Sequence, residues 1–349
     1  MSDDLNQFTS STADWRRSLR VNNRRTFIVI TLFFLIYLGI GLLVDMYIYS
    51  GTYPRVPLSD LFFALVTFKL FPLVTLIMFA VAAISLLISY SMYDKLMLMG
   101  TDYREITPET ASTPEEKQLY NVVEEMKVAA GLQYMPRVFI IDADYMNAFA
   151  TGYSEKSALV AITRGLMTKL NRDELQAVMA HELTHVRHMD IKLTLTASLL
   201  ANLMIMVLDM FFYNAIFSNR RDNDRSRNGL LTIIIILRYV IPIINVLLLL
   251  YLSRTREYMA DAGSVELMRT NQPLASALLK ISQDHVDHSD TYRQAYQNTP
   301  HENVRREAYI FDPIQAGIEP VGSLSDFFST HPNLDARLAA IGFKRRRDL

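Results

Sequence analysis

The chain has 349 residues, of which 50% are apolar, with 35 basic and 36 acidic side chains, a formal net charge of −1 and no cysteine. The near-neutral charge gives no bulk attraction for nucleic acid, and the lack of cysteine excludes disulfides, a cysteine nucleophile and thiolate-bound zinc. A mean hydropathy of +0.13 is high for a soluble protein and directs attention to membrane-spanning segments.

Two long uncharged runs near the N-terminus predict transmembrane helices. Thr26–Val44 comprises 19 residues without a charge, and Leu70–Tyr93 comprises 24. Because about 20 apolar residues suffice to span a bilayer, we expect a first transmembrane helix over 26–49 and a second over 70–93.

The basic residues predict the orientation of these two helices. The polar segment 1–25 carries five arginines, whereas the loop between the two apolar runs carries only Arg55 and Lys69. Since basic residues concentrate on the cytoplasmic side of a span, we expect 1–25 to be a cytoplasmic tail. The chain from Asp94 onward is then expected to lie in the cytoplasm.

The segment 94–190 is predicted to be the first part of a domain outside the membrane. Residues 94–113 show little periodicity and are interpreted as a linker. A helix is expected to follow, because Thr113 and Glu116 form a capping-box pattern at its start and Gly131 is suited to end it.

Short strands and a second capped helix are expected next. Asn171 and Glu174 repeat the capping-box pattern and predict the start of a helix. Before it, three short apolar runs predict strands over 137–142, 147–152 and 157–163.

The sequence HELTH at 181–185 is a candidate metal site on that second helix. His181 and His185 are four residues apart, so their imidazoles share one helix face and can hold one zinc ion. Glu182 lies beside the first of them, where it can take the proton of a water that zinc acidifies. An amphipathic helix with incidental histidines is the alternative, and the rest of the sequence has to decide between the two.

A catalytic zinc site needs a third protein ligand. The pattern H-E-x-x-H-x-x-G-x-x-H is excluded, because His188 and Ile191 occupy its glycine and last histidine positions. The segment SRTREYMAD offers Glu257 as the third ligand and Asp261, one helical turn later, as the acceptor for the far nitrogen of a ligand histidine. A surface pair between Glu257 and Arg254 is the alternative.

The segment 191–253 is predicted to be a hydrophobic helical hairpin, with Leu193–Phe217 and Leu230–Ser253 as possible third and fourth transmembrane helices. If one ion joins the HELTH motif to Glu257, the two arms begin and end on the same side of the membrane. The open position on the metal would then lie close to the membrane surface.

Asp209 and Arg238 are charges within these apolar arms. Asp209 precedes the polar tip Ser218–Gly229 by nine residues and Arg238 follows it by nine, so an antiparallel arrangement places both at similar depth and predicts an ion pair. Snorkelling of Arg238 with a solvated Asp209 is the alternative. The tip carries four arginines, which conflicts with an extracytoplasmic tip, so a hairpin that never crosses the bilayer is a second possibility.

The segment 254–349 is predicted to complete the domain that begins with 94–190, which the H-E-x-x-H motif marks as a protease domain. Residues 283–322 are polar, with several prolines and glycines, and are interpreted as surface loops or an insertion. The basic tail FKRRRDL is expected to be a solvated chain end.

Four motifs in this order, NAFATG, HELTHVRHMD, SRTREYMAD and STHPNLDARLAAI, behind two apolar runs, resemble the HtpX-type membrane zinc metalloproteases. This group is related to the CAAX prenyl proteases, and the resemblance covers about residues 26–343. It implies a mainly α, gluzincin-like metalloprotease domain with a small β-sheet and one zinc ion per chain. It also implies a multi-pass protein of the inner (plasma) membrane whose active site faces the cytoplasm.

The resemblance also implies roles for residues that no other pattern selects. NAFATG is expected to be an edge strand near the cleft, where Asn147, Ala148 and Phe149 bind an extended substrate through backbone pairing. His331 is implied to stabilise the oxyanion, and Arg337 to support it.

Taken together, the sequence predicts a membrane-bound zinc endopeptidase that cleaves misfolded or damaged membrane proteins, or unfolded polypeptides, in protein quality control under stress. One alternative is a prenyl-peptide processing protease, which needs a cavity for a lipid tail. The other is a non-catalytic membrane scaffold whose structural zinc has its fourth position closed by protein. The sequence does not fix the oligomeric state.

Overall fold

The fold is taken from a computed structural model, which describes residues 15–189, 209, 225–299, 305–306, 308–318 and 331–343. The chain divides into two compact units. One comprises residues 1–24, 92–194 and 250–349, and the other comprises residues 25–91 and 195–249. The basic tail after Phe343, most of the predicted hairpin arm 193–217 and the first part of the hairpin tip lie outside the described residues.

The described elements are mainly helical, with one small sheet. In chain order they are α1 (Trp15–Thr52), α2 (Leu58–Val66), α3 (Leu73–Leu98), β1 (Tyr103–Ile106), α4 (Pro114–Ala130), β2 (Arg137–Ile141), β3 (Ala148–Thr151), β4 (Leu159–Thr163), α5 (Arg164–Lys169), α6 (Arg172–His188), α7 (Arg225–Met268), α8 (Gln272–Asp287), α9 (Ser289–Asn298) and α10 (Leu334–Ala340).

The two predicted N-terminal spans fall on α1 and α3. Within the described residues, Ile30–Thr52 of α1 is long and apolar enough to cross a membrane. The apolar stretch of α3, Leu73–Ile84, is too short to meet the same description. One candidate membrane span is therefore established, and the second predicted span remains a prediction.

Asp45, where the first uncharged run ends, caps the start of α3. Its carboxylate accepts the Val74 N–H at 3.0 Å, the Thr75 N–H at 2.9 Å and the Thr75 hydroxyl at 2.7 Å, and its side chain is buried. An acidic group satisfies the free N–H donors at a helix N-terminus and complements the helix dipole. Gly41, one turn earlier on α1, leaves room for the Thr75 backbone, which a Cβ would meet at 2.5 Å.

Asp209 and Arg238 form the ion pair that their spacing predicts. The Arg238 Nε donates to the Asp209 Oδ1 at 2.6 Å, and both side chains are partly exposed. Arg238 lies on α7, which continues without interruption to Met268. The prediction of an Asp209–Arg238 pair is confirmed.

The sheet has the strand order β1–β2–β4–β3, in which β2 and β4 are parallel and the other two pairs are antiparallel. The three predicted strands are confirmed as β2, β3 and β4. Strand β1 lies in the segment interpreted as a linker, so that interpretation is wrong for residues 103–106. Gly152 ends β3 with φ +143°, and a Cβ there would meet the Ala158 Cα at 2.8 Å, so the tight turn requires glycine.

The two predicted capping boxes are present. Thr113 and Glu116 cap α4, and Gly131 ends it in the left-handed conformation. Asn171 and Glu174 cap α6 in the same way. The first sixteen residues of the segment interpreted as surface loops, 283–322, are instead largely helical, because α8 extends to Asp287 and α9 covers Ser289–Asn298.

Candidate active site

The HELTH motif lies on α6 with its three functional side chains buried. His181 and His185 are 0% and 7% exposed, and Glu182 is 1% exposed. The Nε2 atoms of the two histidines face each other at 3.2 Å. Two buried imidazole nitrogens at this separation converge on a single point, as the i, i+4 spacing predicts.

Two small residues of α7 allow that helix to approach α6 closely. A Cβ on Gly263 would collide with the Thr184 side chain, so only glycine fits at this contact. One residue later, the Ser264 hydroxyl donates to the Ala177 carbonyl at 2.7 Å. This close packing carries the preceding turns of α7, including Glu257, against the HELTH motif.

Glu257 completes a donor set with the two histidines. Its Oε2 is 3.8 Å from the His181 Nε2, and its Oε1 is 3.6 Å from the His185 Nε2. One ligand atom from each of the three residues lies within 4.8 Å of the others, and all three residues are buried. Tetrahedral zinc with bonds near 2.0–2.1 Å separates its ligand atoms by about 3.3 Å, so the residues present fit a zinc ion.

Asp261 and Arg337 hold the outer side of this cluster. The Asp261 Oδ1 lies 3.0 Å from the His181 Nδ1, which is the contact expected for a carboxylate that orients a ligand histidine. Arg337 binds Asp261 through two nitrogens, at 2.6 and 2.8 Å. Burial by itself raises the pKa of Asp261, but Arg337 and His181 outweigh it and hold that pKa below its usual value.

His331 lies beside Glu257, although it is 74 residues farther along the chain. Its Nδ1 is 3.3 Å from the Glu257 Oε2, and the side chain is buried. Burial by itself lowers the pKa of His331, but the carboxylate of Glu257, with a smaller contribution from the buried Asp312, outweighs it and raises that pKa. The motif resemblance pointed to His331, whereas no sequence pattern pointed to Asp312.

Glu182 presents both carboxylate oxygens without a hydrogen-bond partner among the described residues. Burial raises the pKa of Glu182 to about 8, while the backbone N–H of Ala150 on β3 acts in the opposite direction. Unpaired buried carboxylate oxygens beside a histidine–histidine–glutamate cluster are expected where a water molecule and a cation bind. This supports the fit of a metal ion to the site.

The NAFATG residues lie at the sheet edge but are engaged by the chain itself. Asn147 is 0% exposed, and its amide binds the backbone of Phe311 and the hydroxyl of Tyr296. Ala148 and Phe149 are likewise buried. Ala150, which the sequence did not single out, is the β3 residue whose N–H lies beside Glu182.

Gly263 and Ser264, like Asp312 and Ala150, are residues of this site that sequence reasoning missed. Together with Ala260 they place small side chains at i, i+3 and i+4 on α7, the spacing of a helix face that packs closely. That signal is present in the sequence, but the partner helix cannot be read from it.

A buried donor set of this kind, with a glutamate that follows the first histidine of an H-E-x-x-H helix, is the arrangement of metallopeptidases. Comparison with known proteins identifies the family. Residues 113–343 match the family described as peptidase family M48, and the chain belongs to it.

Individual relatives are similar over nearly their whole length. A protein named Protease HtpX homolog from Helicobacter pylori is 36% identical over 331 residues, which cover 94% of this chain and 98% of the relative. A Protease HtpX homolog from Limosilactobacillus fermentum is 36% identical over 324 residues, covering 91% and 95%. A crystal structure of S. mikatae Ste24p is similar with a TM-score of 0.43 and 19% identity, covering 93% of this chain and 66% of that one.

The family match and the two HtpX relatives confirm the resemblance to the HtpX-type proteases, and with it the prediction of a metalloprotease.

Proposed function

We propose that the protein is a zinc endopeptidase that cleaves loosely folded polypeptides and damaged membrane proteins at the cytosolic face of the inner membrane. His181, His185 and Glu257 hold one zinc ion in a gluzincin-like site. The observation that carries the proposal is the meeting of these three side chains within 4.8 Å, from helices α6 and α7, next to the unpaired carboxylate of Glu182.

Glu182 is the general base and then the general acid. When bound, zinc supplies Lewis acidity that polarises the scissile carbonyl and acidifies a water molecule. Glu182 accepts the proton of the attacking water and later delivers it to the leaving amine.

The surrounding side chains position this chemistry. Asp261 keeps the His181 ring oriented with Nε2 toward the cluster, and Arg337 fixes Asp261 through its two hydrogen bonds. His331, held beside Glu257, is placed to donate a hydrogen bond to the carbonyl oxygen as negative charge develops on it.

The membrane setting of the proposal rests on the sequence and on α1. Ile30–Thr52 is a candidate span, and five arginines precede it on the side expected to be cytoplasmic. In the sequence, Glu257 follows the apolar run that ends at Ser253 by four residues. A substrate loop leaving the bilayer would therefore have a short path to the site.

The test is proteolysis by the purified full-length protein in detergent, with a loosely folded protein such as casein as substrate. Glu182→Gln is expected to retain one zinc per chain and to lose about 10²–10⁴-fold in rate, the usual contribution of a general base. A chelator should abolish wild-type cleavage, and added zinc should restore it.

Glu124→Gln is the matched control, because Glu124 is an exposed glutamate on α4. Cleavage by Glu182→Gln at the wild-type rate would refute the mechanism. Zinc-loaded wild-type protein that cleaves no unfolded polypeptide would favour a structural role for the metal.

A further inference from the structure

The outward edge of β3 is partly occupied by the chain itself. The Thr163 N–H donates to the Asn147 carbonyl at 2.9 Å. Because backbone groups alternate along an antiparallel strand, those of Ala148 and Ala150 therefore point away from β4. The outward carbonyl of Ala148 accepts the Ile310 N–H at 2.9 Å.

The side-chain amide of Asn147 makes the further hydrogen bonds between β3 and the 309–311 segment that a neighbouring strand would make with its backbone. Its Nδ2 donates to the Phe311 carbonyl at 2.9 Å, and its Oδ1 accepts the Phe311 N–H at 3.3 Å and the Ala148 N–H at 3.1 Å. Arg337 fixes the same segment from the other side, since its Nη1 donates to the Ile310 carbonyl at 2.6 Å. The 309–311 segment thus occupies both outward groups of Ala148, directly or through Asn147.

The 309–311 segment is packed into the core. Tyr309, Ile310 and Phe311 are 1%, 1% and 4% exposed. The ring of Tyr309 lies 5.8 Å from that of Phe149, and the ring of Phe311 lies 4.6 Å from that of His285. Removing three such side chains from the core costs a free energy comparable with the stability of a whole domain. The site is buried, so substrate entry requires movement of the chain, but this segment is a costly part to move.

Ala150 is the next outward residue along β3, the strand that packs against α6, and its N–H faces the carboxylate of Glu182. Two residues along a strand correspond to about 7 Å, which is the separation between Ala150 and the occupied position at Ala148. On the C-terminal side of Ala150, the chain leaves β3 and turns at Gly152.

We propose that the 309–311 segment is a fixed wall at one end of the cleft, so that the substrate main chain pairs with β3 through Ala150 and not through Ala148. This inference rests on the peptidase function proposed above and concerns how that site selects substrates. On one side of the scissile bond, backbone hydrogen bonding between the substrate and β3 therefore ends within about two substrate residues. Asn147 is then a positioning residue that holds the wall.

The dependence of kcat/KM on peptide length tests where the wall lies. Fluorogenic peptides with a single cleavable bond are lengthened by one residue at a time on either side and cleaved by the wild-type protein. We expect kcat/KM to rise as residues are added on one side of the cleavable bond. On the other side, it should stop changing after the second added residue. A rise of about tenfold or more beyond the second residue on both sides would show pairing past Ala150 and would overturn the proposal.

Hydrogen exchange tests the wall without relying on catalysis. In Glu182→Gln protein, the amides of Ile310 and Phe311 should be as protected as those of β4, and binding of an uncleaved peptide should not change this. Fast exchange in the free protein, or loss of protection on peptide binding, would mean that the segment leaves β3 and that the inference is wrong.

Asn147→Ala should speed exchange at Ile310 and extend the length profile on the short side, whereas Asn121→Ala on the exposed face of α4 should change neither. Failure of the inference is distinct from failure of the proposed function. A protein that cleaves no peptide of any length contradicts the peptidase proposal, while the exchange data still report on the wall.

Discussion

Gly263 of α7 lies directly against the side chain of Thr184 on α6, with no space for a Cβ between them. Thr184 is part of the HELTH motif, and Gly263 follows Glu257 by six residues. The contact therefore sets the distance between the two helices that contribute the three candidate zinc ligands.

A side chain at position 263 is expected to push the two helices apart. Gly263→Val should destabilise the protein by about 1–3 kcal/mol, as overpacking of a close contact does, and should lower zinc retention during purification. Thermal unfolding and metal content measure the two effects.

Two further variants make the prediction about Gly263 specific. Thr184→Ala removes the two atoms nearest to the added Cβ, so it should partly rescue Gly263→Ala. Gly39→Ala on α1 is the matched control, because a Cβ there meets nothing within 4 Å. Equal effects of alanine at positions 39 and 263 would contradict the role of the contact.

Asp261→Asn is expected to weaken zinc binding by about 10–100-fold, the usual effect of losing the partner that orients a ligand histidine. The change removes a negative charge that holds both His181 and Arg337. Competition with a zinc chelator measures the affinity. Asp290→Asn is the control, since the Asp290 side chain is 95% exposed. Unchanged affinity in Asp261→Asn would show that Asp261 does not act through His181.

The hydrogen-bonded carboxylate of Glu174 is expected to make the protein less stable in acid. Its carboxylate accepts hydrogen bonds from Ser276 at 2.6 Å and from Lys280 at 2.7 Å. Burial by itself raises the pKa of Glu174, but these bonds and the Asn171 N–H outweigh it, and the net pKa lies below 4.5. A carboxylate whose pKa is lowered on folding stabilises the fold above its unfolded pKa, and that stabilisation is lost as the pH falls through the folded value.

The thermal midpoint should therefore fall more steeply below pH 4.5 in the wild type than in Glu174→Gln, with the largest difference between the two near neutral pH. Glu125→Gln is the control, because Glu125 forms an exposed pair with Arg172 that contributes little. Parallel pH profiles for wild type and Glu174→Gln would contradict the prediction.

Because Asp209 and Arg238 form an ion pair, their effects on the free energy of unfolding are expected to be coupled. Asp209→Asn and Arg238→Gln should each destabilise the protein. The double variant should lose less than the sum of the two, by at least about 0.5 kcal/mol, as contacting residues do. Additive losses in thermal unfolding in detergent would mean that the 2.6 Å contact contributes no net stability.

Local sequence patterns predicted the elements that depend on near neighbours. The two capping boxes and the i, i+4 histidines are set by residues within one helical turn, so Thr113 and Asn171 identify the starts of α4 and α6. Strand β1 was missed, because its four residues show the burial pattern of a mostly exposed edge and no strong alternation.

The polar composition of 283–322 concealed α9 for a different reason. Tyr292 and Tyr296 are the buried residues of this helix, and they form its only apolar stripe among polar neighbours. Both rings contact Tyr145, which is distant in sequence, and His285 on the preceding helix α8. A tertiary aromatic cluster of this kind leaves little trace in local periodicity.

The metal ligands could be predicted from the sequence, because chemistry restricts which residue types bind zinc. The contacts that tertiary packing determines could not. Histidine and glutamate spacing pointed to His181, His185 and Glu257. The close approach at Gly263 depends on which helix faces α7, and the use of the Asn147 amide depends on a segment more than 160 residues away. Neither relationship follows from local pattern.

One zinc ion is proposed to join α6 to α7 through His181, His185 and Glu257. A crystal structure of zinc-loaded Glu182→Gln protein, with anomalous data collected at the zinc edge, tests it most directly. One strong peak is expected about 2.0–2.2 Å from both histidine Nε2 atoms and a Glu257 carboxylate oxygen. A peak elsewhere, or a Glu257 carboxylate turned away from the histidines, would contradict it.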